Sequence, residues 1–186
     1  MRIFTAGSVD DGKSTLLGCL LFHLGCLHLD HLEKLEADSQ KNSSGAIDYS
    51  LAFDALIDER AQGITIDVAW RYVTLNGQSL VLADCPGHEQ YTRNMVSAAS
   101  QCDAGIMLTD ASRGITAQTR RHLYICSLMR VRHLFVAVNK IDLTDDAEAA
   151  FNAQRSTVES LLATLSHSFD SITFAPTSGV HGINVV

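Results

Sequence analysis

Residues 7–15 read GSVDDGKST, which places Gly7, four residues, then Gly12, Lys13 and Ser14 in series. That spacing belongs to a loop that cradles phosphates. Glycine lets the backbone approach a polyanion with no side chain in the way, while the loop's N–H groups and the positive end of the following helix dipole converge on it. Gly7, Ser8, Val9, Asp10, Asp11, Gly12, Lys13, Ser14 and Thr15 are therefore the phosphate-binding candidates. Lys13 would reach the β and γ phosphates, and the Ser14 hydroxyl would bind Mg²⁺ spanning their oxygens. The loop does not name the base, since adenine and guanine nucleotides both use it.

Two further stretches carry chemistry. Asp84-Cys85-Pro86-Gly87-His88 follows a strand. Beside a phosphate loop, an acid there can hold Mg²⁺ through a water, the Gly87 N–H can meet a γ-phosphate, and the His88 side chain can orient an attacking water. Proline and glycine after a strand also make an ordinary turn; the pairing with the phosphate loop gives them a function. Asn139-Lys140-Ile141-Asp142 comes after another strand. The Asp142 carboxylate can accept from both N1–H and the 2-amino group of guanine, donors that adenine lacks there. Thr177-Ser178-Gly179 sits at the next strand end, where a backbone N–H could meet guanine O6.

These groups need a frame that delivers them to one place. Met1–Ala6 reads as a strand, and Leu16, Leu17, Leu20, Leu21 and Leu24 repeat on one helical face. Residues 28–50 turn polar and end in a Ser/Asn/Gly cluster, as a surface excursion does. A helix-like stretch, Leu51–Arg60, runs through Gln62-Gly63-Ile64-Thr65-Ile66-Asp67 into a strand Val68–Leu75. Asn76-Gly77 signals a hairpin to a returning strand Ser79–Ala83. A helix Glu89–Cys102 carries Met95, Val96, Ala98 and Ala99 inward, and a buried strand Ala104–Thr109 follows. After a loop Asp110–Thr116, a helix runs to about Met129, then a strand Leu134–Val138, a helix of about Asp146–Leu165 and a strand Ser171–Ala175. Strands alternating with helices predict a doubly wound α/β domain in three α/β/α layers, with six mostly parallel strands and one antiparallel pair at Asn76-Gly77. Ligands of such sheets sit at the carboxyl ends of the strands.

At 186 residues and 46% hydrophobic, the chain suits one domain with one sizeable core. A formal charge of −7 argues against general nucleic-acid backbone binding, so anions must be held by a local site. Five cysteines with no Cys-x-x-Cys pair suggest neither a disulfide framework nor a zinc site, and point to a reduced, cytoplasmic setting. No apolar run reaches membrane-spanning length, and Met1–Ala6 leads straight into the phosphate loop, leaving no room for a signal peptide. His23, His28 and His31 read as surface or helix-flank residues.

In the order GSVDDGKS, GITID, DCPGH and NKID, with TSG as a fifth motif, the chain resembles the translation-factor class of P-loop GTPases. Its wording is closer to one branch, the GTP-binding large subunit of bacterial sulfate adenylyltransferase. The resemblance is carried by VDDGKST (9–15), LEADSQK (35–41), ERAQGITIDVAWR (59–71), PGHEQYTRNM (86–95), QTRRH (118–122) and VNKIDL (138–143). It spans nearly the whole chain. Asp11 and Ser14 stand where elongation factors of the Tu type typically have His and Thr.

The resemblance implies that Thr65 joins Ser14 and Asp84 around Mg²⁺ in the GTP state. It further implies that Lys13, Thr65, Gly87 and His88 serve hydrolysis, and that Asn139, Lys140, Asp142, Ser178 and Gly179 hold guanine. Its wider implication is GTP hydrolysis coupled to sulfate activation, ATP and sulfate giving adenosine 5′-phosphosulfate and pyrophosphate on a separate ATP- and sulfate-binding catalytic subunit. Nucleic acid and membrane are not expected partners. Cys85 departs from the branch, which usually has Thr there, and Thr177-Ser178-Gly179 replaces the more usual Ser-Ala-Leu or Ser-Ala-Lys. A member would continue past residue 186 through a last helix and two β-barrels, so residues 1–186 are expected to be a GTP-binding domain with apolar sheet surface exposed where that helix would lie. Two other readings stay open: a translation GTPase delivering aminoacyl-tRNA, which Cys85 favours and Asp11 opposes, and a nucleotide-binding fragment without turnover.

Overall fold

The structure, a computed structural model, describes residues 1–27, 49, 65–75 and 77–185. The expected surface excursion at 28–50 (Tyr49 apart), the helix-like stretch Leu51–Arg60, residues 61–64 and Asn76 lie outside the described residues.

Six strands form one sheet: β1 (Arg2–Ala6), β2 (Ala69–Leu75), β3 (Gln78–Asp84), β4 (Ala104–Asp110), β5 (His133–Asn139) and β6 (Ser171–Pro176). Their order is β2-β3-β1-β4-β5-β6, with β2 and β3 antiparallel and every other neighbouring pair parallel. Leu75 pairs with Gln78, and Gly77, which precedes Gln78, has φ +77°, the left-handed backbone that tight hairpins favour. The helices are α1 (Lys13–His23), α2 (Thr92–Ala99), α3 (Ala117–Leu128) and α4 (Ala147–Leu162).

Alternation along the strands splits the core between two faces. Phe4 and Ala6 of β1 join Ala83, Met107 and Val136 on one face, packed by Met95 and Ala98 of α2, Leu123 and Cys126 of α3 and Val158 of α4. Leu82 of β3 and Val73 of β2 turn to the other face and meet Leu17 and Leu21 of α1, while Leu16 meets Leu108 and Ala137. This is the α/β/α layering, and it explains why the leucines of α1 serve two clusters. A cleft of about 350 Å³ runs beside α1 on that second face, lined by Ile3, Leu16, Leu20, Ile106, Phe135 and Val185 among others. Among the described residues no helix is long and apolar enough to cross a membrane.

One element is shorter than the sequence suggests. The helix expected over Glu89–Cys102 is a 3-10 turn, Glu89–Tyr91, followed by α2. Tyr91 leaves helical geometry at φ −102° and ψ 12°, and Thr92 Oγ1 donates to the Glu89 carbonyl. At the far end Ser100 Oγ and Gln101 Nε2 both donate to the Ser97 carbonyl, satisfying a terminal oxygen with side chains.

The parallel strands finish together. Ala6, Asp84, Asp110, Asn139 and Pro176 are the last residues of β1, β3, β4, β5 and β6, so their connections gather along one edge of the sheet.

Candidate functional site

Among the described helices, α3 and α4 are capped by their own sequence: Thr116 Oγ1 accepts from the Thr119 N–H and Asp146 Oδ1 from the Ala149 N–H. α1 is not. Its N-cap is Gly12, with no side-chain acceptor, which leaves the first-turn N–H groups of Lys13, Ser14 and Thr15 for a ligand. Asp10 and Gly12 both take left-handed backbones, at φ +63° and +89°, folding the loop over the start of the helix. Ser8 and Val9 are half-buried, Asp10 is exposed, and Gly7 and Asp11 lie beneath the loop. Lys13 is buried and its Nζ donates to the Ser8 carbonyl at 2.7 Å. Burial pushes that ammonium below its usual range, while Asp84 and Asp11 pull it back up.

Three oxygen-bearing side chains meet beside Lys13. Ser14 Oγ donates to Asp84 Oδ2 at 2.6 Å and lies 3.3 Å from Thr65 Oγ1. Thr5 Oγ1 donates to Asp84 Oδ1 at 2.8 Å and accepts from the Cys85 N–H. Two hydroxyls and a fully buried carboxylate are the donor set of a small hard cation, so these residues fit Mg²⁺.

The Asp84–His88 turn folds directly against the phosphate loop. A Cβ on Gly87 would come within 2.5 Å of Lys13 Nζ and 2.9 Å of the Ser8 carbonyl, so only glycine allows this approach. His88 follows in extended backbone, half-buried, its ring edge-on to Tyr91 at 6.3 Å between centroids. Asn94 Nδ2 donates to the Ile66 carbonyl, tying α2 to the segment that carries Thr65.

On the other side of the loop, Asn139 is a junction. Its Nδ2 donates to the Asp11 carbonyl at 2.8 Å, and its Oδ1 accepts from the Gly179 N–H at 3.0 Å and Thr177 Oγ1 at 3.2 Å. Phosphate loop, β5 end and β6 end are thus joined through one amide. Lys140 takes a left-handed backbone at φ +60° and pairs with Asp110 at 2.9 Å. Asp142 follows in a 3-10 turn, with His181 3.8 Å from its carboxylate. Ser178 and Gly179 are buried, and both N–H groups are engaged within the protein, with the Ile183 carbonyl and Asn139 Oδ1 respectively.

Thr5, Asp110 and His122, which are not among the site residues expected from sequence, also touch the site. His122, on α3 and fully buried, accepts the Gly7 N–H at Nδ1, 3.1 Å away. An accepting Nδ1 puts the proton of the neutral ring on Nε2, 2.9 Å from the Gln118 side-chain amide, and that proton is satisfied when the amide is turned to present its oxygen. Burial, helped by the charges of Lys13 and Arg121, lowers this histidine to about 4, whereas burial raises Asp11 to about 6 against the opposing pull of Lys13.

These two groups act oppositely on stability. Folded protein keeps an Asp11 proton that the unfolded chain releases as pH rises from about 4 to 6, so stability falls over that window by about 3 kcal/mol. The unfolded chain keeps a His122 proton that the folded state refuses between about 4 and 6.5, so stability climbs by about 3 kcal/mol. Together they nearly cancel. Urea unfolding from pH 4 to 7 should therefore give a rising profile for Asp11→Asn and a falling one for His122→Asn, and three parallel profiles would refute the assignment.

Set against known proteins, residues 1–186 match the Elongation factor Tu GTP binding domain family throughout, and the chain belongs to that family. Within it, the chain is 48% identical over 188 aligned residues to sulfate adenylyltransferase subunit 1 of Psychromonas ingrahamii and 49% identical to the bifunctional enzyme NodQ of Azospirillum brasilense. Each match takes in the whole chain but only 40% and 30% of those relatives' lengths. The fold is shared with the GTP-bound Ski7 GTPase-like domain of S. cerevisiae, at TM-score 0.81 and 20% identity over 97% of this chain and 43% of that one.

Proposed function

We propose that this domain binds GTP with Mg²⁺ and hydrolyses it to GDP and phosphate, and that hydrolysis drives formation of adenosine 5′-phosphosulfate on a separate ATP- and sulfate-binding subunit. The observation that supports the nucleotide part is the Asn139 junction, which joins the segment bearing Asp142 to the phosphate loop. In this reading the uncapped first turn of α1 and Lys13 hold the phosphates, with Gly87 at the γ-phosphate. Ser14 and Thr65 would hold Mg²⁺ directly and Asp84 through water; the bound ion neutralises charge on the β and γ oxygens. His88 orients the attacking water in line with the leaving oxygen. Asn139, Lys140, Asp142, Ser178 and Gly179 wall the base. The coupling to sulfate activation is supported by the sulfate adenylyltransferase relatives, whose name as subunit 1 entails a second subunit.

Titration of the purified chain with fluorescent GTP and ATP analogues, each competed with unlabelled nucleotide, is the test. A strong guanine preference is expected. Equal binding of both would overturn the Asp142 assignment while sparing the phosphate loop. For the coupling, the chain should copurify with an ATP- and sulfate-binding subunit, and recovery of tRNA or ribosomes in its place would redirect the reading to translation.

A further inference from the structure

We propose that Asp110 is a positioning residue for guanine recognition, acting through Lys140. The inference rests on the reading that Asn139–Asp142 faces the base. Asp110 closes β4, and its side chain is almost wholly buried at the edge where the strand ends gather. Its Oδ1 accepts from the Ser112 N–H at 2.9 Å and the Ser112 hydroxyl at 2.6 Å. Its Oδ2 takes the Lys140 ammonium at 2.9 Å, with Arg113 Nε at 3.6 Å. Burial alone would raise this carboxyl, yet the Ser112 and Lys140 hydrogen bonds hold it below the usual range.

The backbone repeats the tie. The Ala111 N–H donates to the Asn139 carbonyl at 2.8 Å, and the Asp110 carbonyl accepts from Gln154 Nε2 of α4 and from the N–H groups of Arg113 and Gly114. Arg113 also reaches Asp10 of the phosphate loop at 3.9 Å. Residues 110–114 therefore clip the base segment to the frame.

The ion pair has a conformation to maintain. Lys140 sits at φ +60°, a backbone that strains any residue carrying a Cβ. That kink lies between Asn139, whose amide is turned to the phosphate loop, and Asp142, whose carboxylate lies 3.8 Å from His181. Anchoring the Lys140 ammonium to a buried carboxylate holds the kink, and thereby fixes where Asp142 points. Without the anchor the kink relaxes, and the loss falls on the base more than on the phosphates.

Asp110→Ala should weaken GTP binding roughly tenfold to a hundredfold, the range seen for contacting residues in one ion-pair network, and lower the GTP-over-ATP preference. Inhibition by inorganic tripolyphosphate, which has no base, should change by less than about threefold, within the additivity expected of an uncoupled site. Asp110→Asn keeps the acceptor oxygen without the charge and should give a smaller loss, which guards against a variant that fails to fold. In the double substitution with Lys140→Ala, Asp110→Ala should add little to Lys140→Ala alone. Equal losses for GTP and tripolyphosphate, fully additive effects, or an unchanged GTP preference in both Asp110 variants would overturn the proposal. If the unaltered chain showed no guanine preference, the proposed function would fall with it; a preference kept by the variants sinks this inference alone.

Discussion

Replacing Asp142 with Asn should transfer nucleotide preference from GTP to xanthosine triphosphate. The carboxylate accepts from guanine N1–H and the 2-amino group; an amide keeps one acceptor and presents a donor, which guanine answers with another donor and xanthine with its 2-oxo group. A site built on such pairs rejects the mismatched partner by about 10⁴-fold because buried polar groups are left unpaired, and the same factor should appear in the reversed ratio. Asp142 lies next to the Lys140 kink and outside the Asn139 hydrogen bonds, so the substitution should leave the phosphate loop in place. Dissociation constants for both nucleotides decide it, and an unchanged GTP preference would remove Asp142 from the base site.

His88→Ala should slow hydrolysis by about 10²- to 10⁴-fold while GTP affinity stays within a few-fold. His88 follows Gly87, whose backbone lies close to Lys13 and Ser8, so in the proposed site the main chain, rather than contacts to the nucleotide, would carry its ring to the γ-phosphate side. A residue placed in that way acts in the transition state and contributes little to binding. Intrinsic turnover of such domains is slow, of order 10⁻⁴ to 10⁻² s⁻¹, so single-turnover decay of radiolabelled GTP over hours is the suitable measurement. Equal loss of binding and rate would make His88 a structural residue.

The fold was readable because its signals are local. Apolar runs at Leu134–Val138 and Ala104–Thr109 end in Asn139 and Asp110 as buried parallel strands do, and Asn76-Gly77 announces the one reversal. The phosphate loop was legible from its spacing, and the uncapped Gly12 explains why that spacing leaves donors free. What escaped depends on contacts across long stretches of chain. His122 meets Gly7 across 115 residues and Thr5 meets Asp84 across 79, and nothing in a buried threonine or a helical histidine announces such a partner. The Ser178 and Gly179 N–H groups illustrate the converse. Their position at a strand end suggests donors aimed at a base, but the Ser178 N–H meets the Ile183 carbonyl where the chain turns back and the Gly179 N–H meets Asn139 Oδ1.

The Asn139 amide has a consequence for how the domain can signal. With its nitrogen on Asp11 and its oxygen shared by Thr177 and Gly179, the ends of β5 and β6 are stapled to the phosphate loop as one body. Among the described residues Thr65 and Gly87 have no such staple to the loop; they meet it at a hydroxyl and at a bare backbone. On the proposed function, the domain would divide into an anchor that identifies the nucleotide and a pair of reporters that register its last phosphate. A partner that needs to know only whether hydrolysis has occurred would read the side bearing β2 and α2, and could ignore the side bearing β6 altogether.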